Sequence, residues 1–573
     1  MNVLNPCVFY HPEAYTTAGP KLMGRNAAGE SFLRGFLRYA KGEDFWLQLE
    51  KPEMAHDVSD ALKRYGRKGR LHTINRRNLA KLREPGCIYY PGPGLAEFAW
   101  QRAAFGHQSW SLCGITHTTS SARAMDAIAA WLEAPVQPWD AVICTSKAVK
   151  SNVERLLQAH VDYLKERLGV TKIVLPQLPV IPLGIHVEDF KFSAQARITA
   201  REQLGIGPDD IVVLYVGRLS FHAKAHPLPM YLALERAWAR MQSQHAGLLP
   251  PHARLRLIEC GWHANEHIAK AYRDAVALAA PSLGVLTLDG REAATREKAW
   301  ASADVFCSLS DNIQETFGIT PIEAMASGLP LVVSDWNGYK DSVRDAVDGF
   351  RIPSWMPHGG LGADLALRHA LDIDSYDMYC GHSASFVSVD IEAATQAFVQ
   401  LFCSPELRRQ MGLAGRTQAQ ERFDWSVVMT QYEALWDALR ELRASASPRS
   451  RLWPARLDPM HGFADYPSAV LNEDSVVCLS ENNAFETFER LLSLAMVNYT
   501  LQVMPNVQEF RLMIDFLDQS PGRSSKARAV AAVLGDTRAP HGLRALAWLA
   551  KLGIVRFEGA KQLAATTQPG PAH

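Results

Sequence analysis

Short apolar segments alternate with helical stretches through roughly the first 440 residues, and this alternation constrains the fold most strongly. We predict strands at residues 87–90, 111–116, 141–145, 172–175 and 179–182, then at 211–217, 254–259, 284–288, 303–309 and 329–334. Strands that alternate with helices form βαβ units and parallel sheets. The sequence therefore predicts an α/β protein with two doubly wound, Rossmann-like halves, which leave a cleft between the carboxyl ends of their strands.

The predicted domain organisation has four parts. Residues 1–190 form the first Rossmann-like half and residues 191–443 the second, joined near 185–210. A Ser-, Pro- and Arg-rich linker follows at 444–459, and 460–573 is a mainly helical appendage with a disordered tail after 560. Residues 527–557 predict a helix, a turn, a helix and a short strand, an order that resembles a winged-helix module. Because no dense basic recognition helix is visible, we expect this module to contact a protein or present an acceptor rather than bind nucleic acid.

Composition excludes several classes of protein. Apolar residues make up 47% and charged residues 21% of the chain, and the net charge is zero, which argues against a nucleic-acid or membrane protein. The nine cysteines are scattered without metal-ligand spacing, which favours free thiols in a reducing compartment. The start of the sequence has no secretory pattern, and no apolar run is long enough to span a membrane. We expect a cytoplasmic protein without a metal.

The segment ETFGITPIEAMASGLP at 315–330 is the most informative motif. Thr320 is a good N-cap, Glu323 falls three residues later, and Gly328 closes the predicted helix. Backbone N–H groups at Phe317 and Gly318 beside a helix start predict a seat for an anionic group such as phosphate. The simpler interpretation makes Glu323 a capping partner and Glu315 a solvated loop residue.

Two cations follow the strand predicted at 211–217. Arg218 offers a planar fork for phosphate oxygens, and Lys224 offers a compact point charge six residues later. The alternative interpretation is a pair of solvated loop cations, and their place at the same sheet edge as Glu315 argues against it. His117 ends another predicted strand and faces the cleft, although a satisfied, half-buried histidine is the better interpretation of that residue alone.

Two further segments are weaker candidates. The small residues from Gly24 to Gly29 precede a helix predicted from Phe32, where a substrate can approach the backbone, but they lack a Walker motif. The run Lys63–Arg83 contains nine cations and no acid. It fits either an anionic acceptor or membrane surface or, somewhat better, a solvated helix face.

These motifs together resemble the retaining glycosyltransferases of family 4, which have the GT-B fold. The resemblance covers about residues 10–440 and is most specific over Ser310–Pro330. It is supported at 216–220 with Lys224, at 180–190, at 333–339, at 348–350 and at 423–425. The chain departs from the family pattern in Leu183–His186, where Asn-Gly-Val-Asp is common, and in Ala225, where glycine is common.

The resemblance implies a site and a reaction. A UDP- or GDP-linked sugar would bind the second half and the acceptor the first. Arg218 and Lys224 would hold the diphosphate, Glu315 the donor sugar and Glu323 the ribose, with His117 beside the sugar. Gly217, Phe317, Gly318 and Ile319 would line the donor site, and Gly29 would close on the diphosphate. The implied enzyme is a retaining, metal-independent hexosyltransferase of glycan or glycoconjugate synthesis that needs no further cofactor.

The residues leave several alternatives open. Another GT-B chemistry, such as a sugar phosphorylase or a nucleotide-sugar epimerase, would use a similar site, and so would a non-catalytic sugar-nucleotide-binding scaffold. The acceptor can be a glycan, a lipid-linked glycan, a small molecule or a protein. The run Lys63–Arg83 allows peripheral attachment at the inner membrane face, and 460–573 allows a protein partner. The sequence does not specify the base, the sugar, the linkage or the oligomeric state.

Overall fold

A computed structural model of the chain describes residues 4–15, 24–248, 250, 252–447 and 452–558. The chain divides into two compact units at the bond between Trp453 and Pro454. This division lies within the predicted linker at 444–459, part of which is outside the described residues, as is the tail after 560.

The first half of the larger unit is a parallel α/β sheet. Its strands are β1 Cys7–Phe9, β2 Asp44–Gln48, β3 Arg70–Ile74, β4 Cys87–Tyr89, β5 Ser111–Ile115 and β6 Ala141–Ile143. Its helices are α1 Pro12–Tyr15, α2 Gly24–Tyr39, α3 Ala55–Arg64, α4 Ala96–Ala103, α5 Ala122–Ala129 and α6 Lys147–Leu168. The strand order is β3-β2-β1-β4-β5-β6, and each neighbouring pair is parallel.

The second half repeats this plan. After α7 Ala194–Gln203, its strands are β7 Ile211–Val216, β8 Leu255–Gly261, β9 Gly284–Asp289, β10 Val305–Ser308, β11 Leu331–Ser334 and β12 Gly349–Ile352. The helices between them are α8 Leu228–Gln244, α9 Glu266–Ala279, α10 Ala293–Ser302, α11 Ile319–Ser327 and α12 Tyr339–Ser342. The order β12-β11-β10-β7-β8-β9 is again wholly parallel. Two doubly wound parallel sheets confirm the predicted α/β, GT-B-type fold class.

The chain then continues through a short ladder and a run of helices. The ladder strands are β13 Ser354–Trp355 and β14 Ser388–Val389, which pair antiparallel. The helices are α13 Ala363–Ala370, α14 Tyr376–Ala384, α15 Ile391–Cys403, α16 Pro405–Gln418 and α17 Trp425–Ala444.

Helix α17 crosses back onto the first half. The indole of Trp425 is buried, its ring lies 5.7 Å from Phe32 of α2, and its Nε1 donates to Ser31 Oγ at 2.7 Å. A Cβ on Gly35 or on Gly184 would lie 2.6 Å from the indole, so both positions need glycine for this close approach. Gly184 belongs to the segment that departs from the family pattern, and it supports the crossing helix.

The smaller unit is built around three short antiparallel strands. It contains α18 Pro459–Gly462, β15 Val476–Leu479, α19 Ala484–Leu492, α20 Ala495–Asn498, α21 Val507–Gln519, β16 Ser524–Lys526, α22 Ala527–Ala532, α23 Ala539–Lys551 and β17 Val555–Phe557. The strand order is β16-β15-β17. The order helix, turn, helix, strand expected over 527–557 is present as α22, α23 and β17. The sequence analysis did not predict β15 and β16, which are four and three residues long.

Several predicted elements are wrong. Residues 172–175 and 179–182 contain no strand, and only isolated bridges join Gln177 to Ala141 and Val180 to Cys144. The run Lys63–Arg83 is not one helix face. It covers the end of α3, the edge strand β3 and a 3₁₀ turn at Leu79–Arg83. Strands β1 to β3 were missed: β1 is only three residues long, β2 has only three consecutive apolar residues, and polar residues interrupt the apolar pattern of β3.

Candidate active site

The candidate site lies where the strand order of the second half reverses. β7 and β10 are neighbours, and the chain winds outward from them in opposite directions. Loops that leave two such strands diverge and open a crevice at their carboxyl ends. The loop after β7 contains Gly217, Arg218 and Lys224, and the loop after β10 contains Glu315, Phe317 and Gly318.

An ion pair joins the two loops. Lys224 Nζ lies 2.7 Å from Glu315 Oε2, and the exposed side-chain fractions are 31% and 10%. Asn337 donates from its side-chain amide to the backbone carbonyl of Glu315 and holds this loop in place. The structure therefore brings together two residues that sequence reasoning assigned to one site, 91 positions apart.

Arg218 is held by the same pair of loops. Its Nη2 donates to Ala223 O at 2.7 Å and to Gln314 Oε1 at 3.2 Å. Its Nη1 lies 3.9 Å from a carboxylate oxygen of Asp377. These contacts orient the guanidinium group beside the Lys224–Glu315 pair.

Gly217 lies where β7 and β8 end close together. Its N–H donates to Cys260 O at 3.0 Å, and a Cβ on Gly261 would lie 1.9 Å from the carbonyl oxygen of Gly217. The ends of β7 and β8 can approach this closely only because position 261 has no side chain.

Helix α11 begins at Ile319, with Gly318 as N-cap, and the expectation that Thr320 is the cap is wrong. No side chain caps this helix, so its first amide N–H groups have no side-chain acceptor and can donate hydrogen bonds to an anion. Gly318 has φ +86°, and a Cβ there would lie 2.0 Å from Tyr339 Cε1. Phe317 is buried before it and Gly328 ends the helix in the left-handed conformation, as expected.

Glu323 is the fifth residue of α11, so it forms no capping box, and the simpler interpretation of this residue is wrong. Burial raises the pKa of Glu323 to about 7, while the charge of Arg296 acts in the opposite direction. Arg296 Nη1 also donates to Gly290 O at 2.8 Å. Glu323 is therefore a carboxyl group whose charge changes near neutral pH, close to the loop that follows β9.

That loop borders an open pocket of about 390 Å³. The pocket is lined by the ends of β8 and β9 and by the start of α9, through Gly261, Trp262, His263, Asn265, Leu288 and Asp289 among others. Sequence reasoning missed Trp262, His263 and Asn265. The sequence feature that could have identified them is their position just after a strand, at the carboxyl edge of the sheet, where ligands bind in such folds.

The first half contributes His117 from the end of β5. Thr316 Oγ1 donates to His117 O at 3.2 Å, so the His117 loop touches the Glu315 loop across the two halves. Ser146, at the end of β6, donates to Thr316 O at 2.8 Å. The structure therefore brings the His117 loop next to the Glu315 loop, and the expected place of His117 beside a donor sugar stays a prediction.

Gly29 does not lie in a loop. Helix α2 begins at Gly24 rather than at Phe32, and Gly29 falls in its second turn. A Cβ at position 29 would lie 1.9 Å from Ala14 O, so glycine is needed here for the packing of α1 on α2. The expected loop is wrong, and contact of Gly29 with a diphosphate stays a prediction.

Among the described residues, no group of three or more His, Cys, Asp or Glu side chains is arranged to hold a metal ion. In the same part of the chain, no helix is long and apolar enough to cross a membrane. The nine cysteines are unpaired, and all except Cys403 are buried.

One segment of the chain matches a known family model. Residues 284–356, from β9 to β13, match the family model described as glycosyl transferases group 1. Residues 284–356 are thus similar to the glycosyl transferases of group 1. This match bears out the resemblance at the level of group 1 glycosyltransferases, over the segment that carries Glu315 and Glu323, whereas membership of family 4 stays a prediction.

Curated relatives extend the similarity over a longer segment. The chain is 28% identical over 209 residues to a D-inositol 3-phosphate glycosyltransferase of Actinosynnema mirum, which covers 36% of this chain and 46% of the relative. It is 31% identical over 158 residues to a phosphatidyl-myo-inositol mannosyltransferase of Mycobacterium leprae, which covers 27% of this chain and 31% of that relative. The chain thus spans less than half the length of these curated relatives.

Solved structures resemble the chain more distantly. Anabaena HepE in complex with UDP and glucose is 14% identical, covers 76% of this chain and 99% of its own, and has a TM-score of 0.46. Sucrose-phosphate synthase from Thermosynechococcus elongatus is 17% identical. The match covers 77% of this chain and 100% of the synthase chain, and the TM-score is again 0.46.

Proposed function

We propose that this protein is a retaining glycosyltransferase that moves a sugar from a nucleotide-diphosphate sugar to an acceptor bound by the first half. The observation that carries the proposal is the Lys224–Glu315 ion pair, 2.7 Å long, at the strand-order reversal beside the uncapped start of α11. A cation, a carboxylate and free helix amides at one point suit a ligand with a phosphate next to sugar hydroxyls.

The donor fits the site in three parts. Arg218, Lys224 and the amides around Phe317, Gly318 and Ile319 bind the diphosphate. Glu323 accepts hydrogen bonds from the ribose hydroxyls, and the base enters the pocket of about 390 Å³ between the ends of β8 and β9. Glu315 binds hydroxyls of the sugar when Lys224 turns to the phosphate. This assignment gives Arg218, Lys224, Glu315 and Glu323 separate roles toward one ligand.

The reaction needs stabilisation of charge more than a strong base. The bond between the anomeric carbon and the phosphate oxygen breaks, and the acceptor oxygen forms a bond on the same face. The acceptor proton passes to the leaving phosphate, so retention follows without a side-chain base. Arg218 and Lys224 stabilise the negative charge that grows on the phosphate, and loss of such a contact costs roughly 10²–10³ in rate. Because these cations supply the positive charge, the proposal includes no metal.

The relatives suggest where to begin with acceptors. One relative is named for D-inositol 3-phosphate and another for phosphatidyl-myo-inositol. We propose inositol phosphates as the first acceptors to test, followed by lipid-linked glycans, other small molecules and proteins. A cytoplasmic location, a role of Lys63–Arg83 at an anionic surface and a protein partner for 460–573 remain part of the proposal.

The donor can be identified without knowing the acceptor. The purified protein is mixed with UDP- and GDP-linked sugars, and thermal stabilisation is followed together with slow release of free nucleotide. Thermal stabilisation of the protein by one donor, together with release of nucleotide from that donor, would support the transferase. Turnover that requires inorganic phosphate would favour a phosphorylase, and donor isomerisation would favour an epimerase. Binding without turnover in the presence of every acceptor class would favour a scaffold.

A further inference from the structure

A helical hairpin stands between β13 and β14. Residues 356–387 leave the second half at β13, form α13 and α14, and return at β14. The two ends of the hairpin are tied by the antiparallel pairs Ser354–Val389 and Trp355–Ser388. This ladder anchors both ends of the hairpin to the second half. The position of the helices beyond the ladder depends on the residues that α13 and α14 contact.

The start of α14 contacts the first half of the larger unit. The Tyr376 hydroxyl lies 2.9 Å from Ser120 Oγ and 3.3 Å from Thr118 Oγ1. Thr118 follows His117 directly, and Ser120 follows two residues later. Three hydroxyl groups from two halves of the protein therefore meet beside the predicted sugar site, more than 250 positions apart in sequence.

The same helix also touches the loop that carries the donor cations. Asp377, the next residue, has a carboxylate oxygen 3.9 Å from Arg218 Nη1. One turn later, a Cβ on Gly381 would lie 2.9 Å from His222 Cβ, so α14 packs directly on the loop between Arg218 and Lys224. One short helix thus contacts both sides of the candidate site.

We propose that the hairpin is a clasp across the cleft and that Tyr376 is a positioning residue, which holds the His117 loop against the donor loops. What the clasp encloses rests on the proposed function. Neutral hydrogen bonds are each modest, so they can form when the halves close and break when products leave. A held His117 loop excludes water from the donor and favours transfer over hydrolysis.

Tyr376→Phe tests the clasp, because it removes only the hydroxyl group. The matched control is Tyr379→Phe on the same helix, where the ring stacks on His369 at 4.1 Å and no hydrogen bond of the hydroxyl is seen in the described residues. Hydrogen–deuterium exchange is measured on both variants and on the wild type, with peptides covering residues 116–121. We expect about three- to tenfold faster exchange there in Tyr376→Phe alone, from the loss of one or two hydrogen bonds.

Activity supplies a second, separate readout. With a donor that the wild type consumes, Tyr376→Phe should raise the ratio of donor hydrolysis to transfer and the KM for acceptor, while Tyr379→Phe changes neither. Equal exchange at 116–121 in both variants would overturn the clasp, whatever the activities are. An inactive wild type with every donor would instead refute the proposed transfer, and the exchange comparison would still decide the clasp.

Discussion

Lys224 and Glu315 meet at 2.7 Å although they belong to loops after different strands. The pair exists because β7 and β10 are neighbours at the strand-order reversal, so their loops leave the sheet side by side. A lysine paired with a carboxylate at such a point is held ready for an anion, since a bound phosphate can take the place of the carboxylate.

Lys224→Ala should abolish transfer while the protein stays folded. Loss of one preorganised cation is expected to lower the rate by roughly 10²–10³, and Glu315→Ala should have an effect of the same order. The rate is measured as sugar transfer from the identified donor, with the unfolding temperature as the check on folding. Lys270→Ala is the matched control, because it breaks an exposed pair with Asp274 on α9. Unchanged turnover in Lys224→Ala would refute its assignment.

Donor affinity should depend on pH through Glu323. Burial raises the pKa of this carboxyl group to about 7, so the ionised form that accepts ribose hydrogen bonds becomes populated above that pH. The dissociation constant for the donor should therefore decrease as pH rises from about 6 to about 8, by up to about tenfold per pH unit below the pKa. Glu323→Gln keeps the shape and should flatten this dependence, as measured by calorimetric titration. An equally steep profile in the variant would assign the pH dependence to another group.

Gly318→Ala should remove donor binding. The position has φ +86°, and a methyl group there would lie 2.0 Å from the Tyr339 ring, so the start of α11 must shift. Gly360→Ala is the matched control, since that residue has φ +98° with no atom within 4 Å of a new Cβ. Both variants carry similar backbone strain, but only the first should lose thermal stabilisation by the donor. Equal loss in both would mean that backbone strain, rather than the clash, is responsible.

The stability of the second half should depend on pH through Glu259. Its side chain is 2% exposed, it accepts a hydrogen bond from the Tyr231 hydroxyl, and burial raises its pKa from 4.5 to about 7. The folded state binds this proton more tightly than the unfolded state, so this group lowers the free energy of unfolding as pH rises from 4.5 to about 7.

Glu259→Gln should remove this contribution. Relative to the wild type, the free energy of unfolding of the variant should rise by on the order of 2 kcal/mol between pH 5 and pH 8. Denaturant unfolding at both pH values measures the difference, and exposed Glu202→Gln on α7 is the control. A difference that does not change with pH would show that Glu259 does not titrate in this range.

The segment 305–334 shows what local chemistry can predict. Strands β10 and β11 were predicted to within two residues at each end, and Gly328 was placed correctly at the end of α11. A buried strand needs a continuous apolar run and a helix end needs a left-handed residue, and both requirements are visible within a few positions. The helix start was wrong, because Thr320 is a good N-cap only where the backbone is free to choose. Here, packing of Phe317 and of Gly318 against Tyr339 sets the boundary.

The sequence by itself determined the doubly wound plan, the loops that carry Arg218, Lys224 and Glu315, the helix that carries Glu323, and the family to which 284–356 is matched. Each of these depends on residues close together in the chain. Only the tertiary structure decided that α2 begins at Gly24, that the run Lys63–Arg83 is divided by β3, and that Tyr376 reaches Thr118 and Ser120. These features depend on contacts between residues far apart in sequence, and such contacts leave no periodic pattern because packing, not local propensity, determines them.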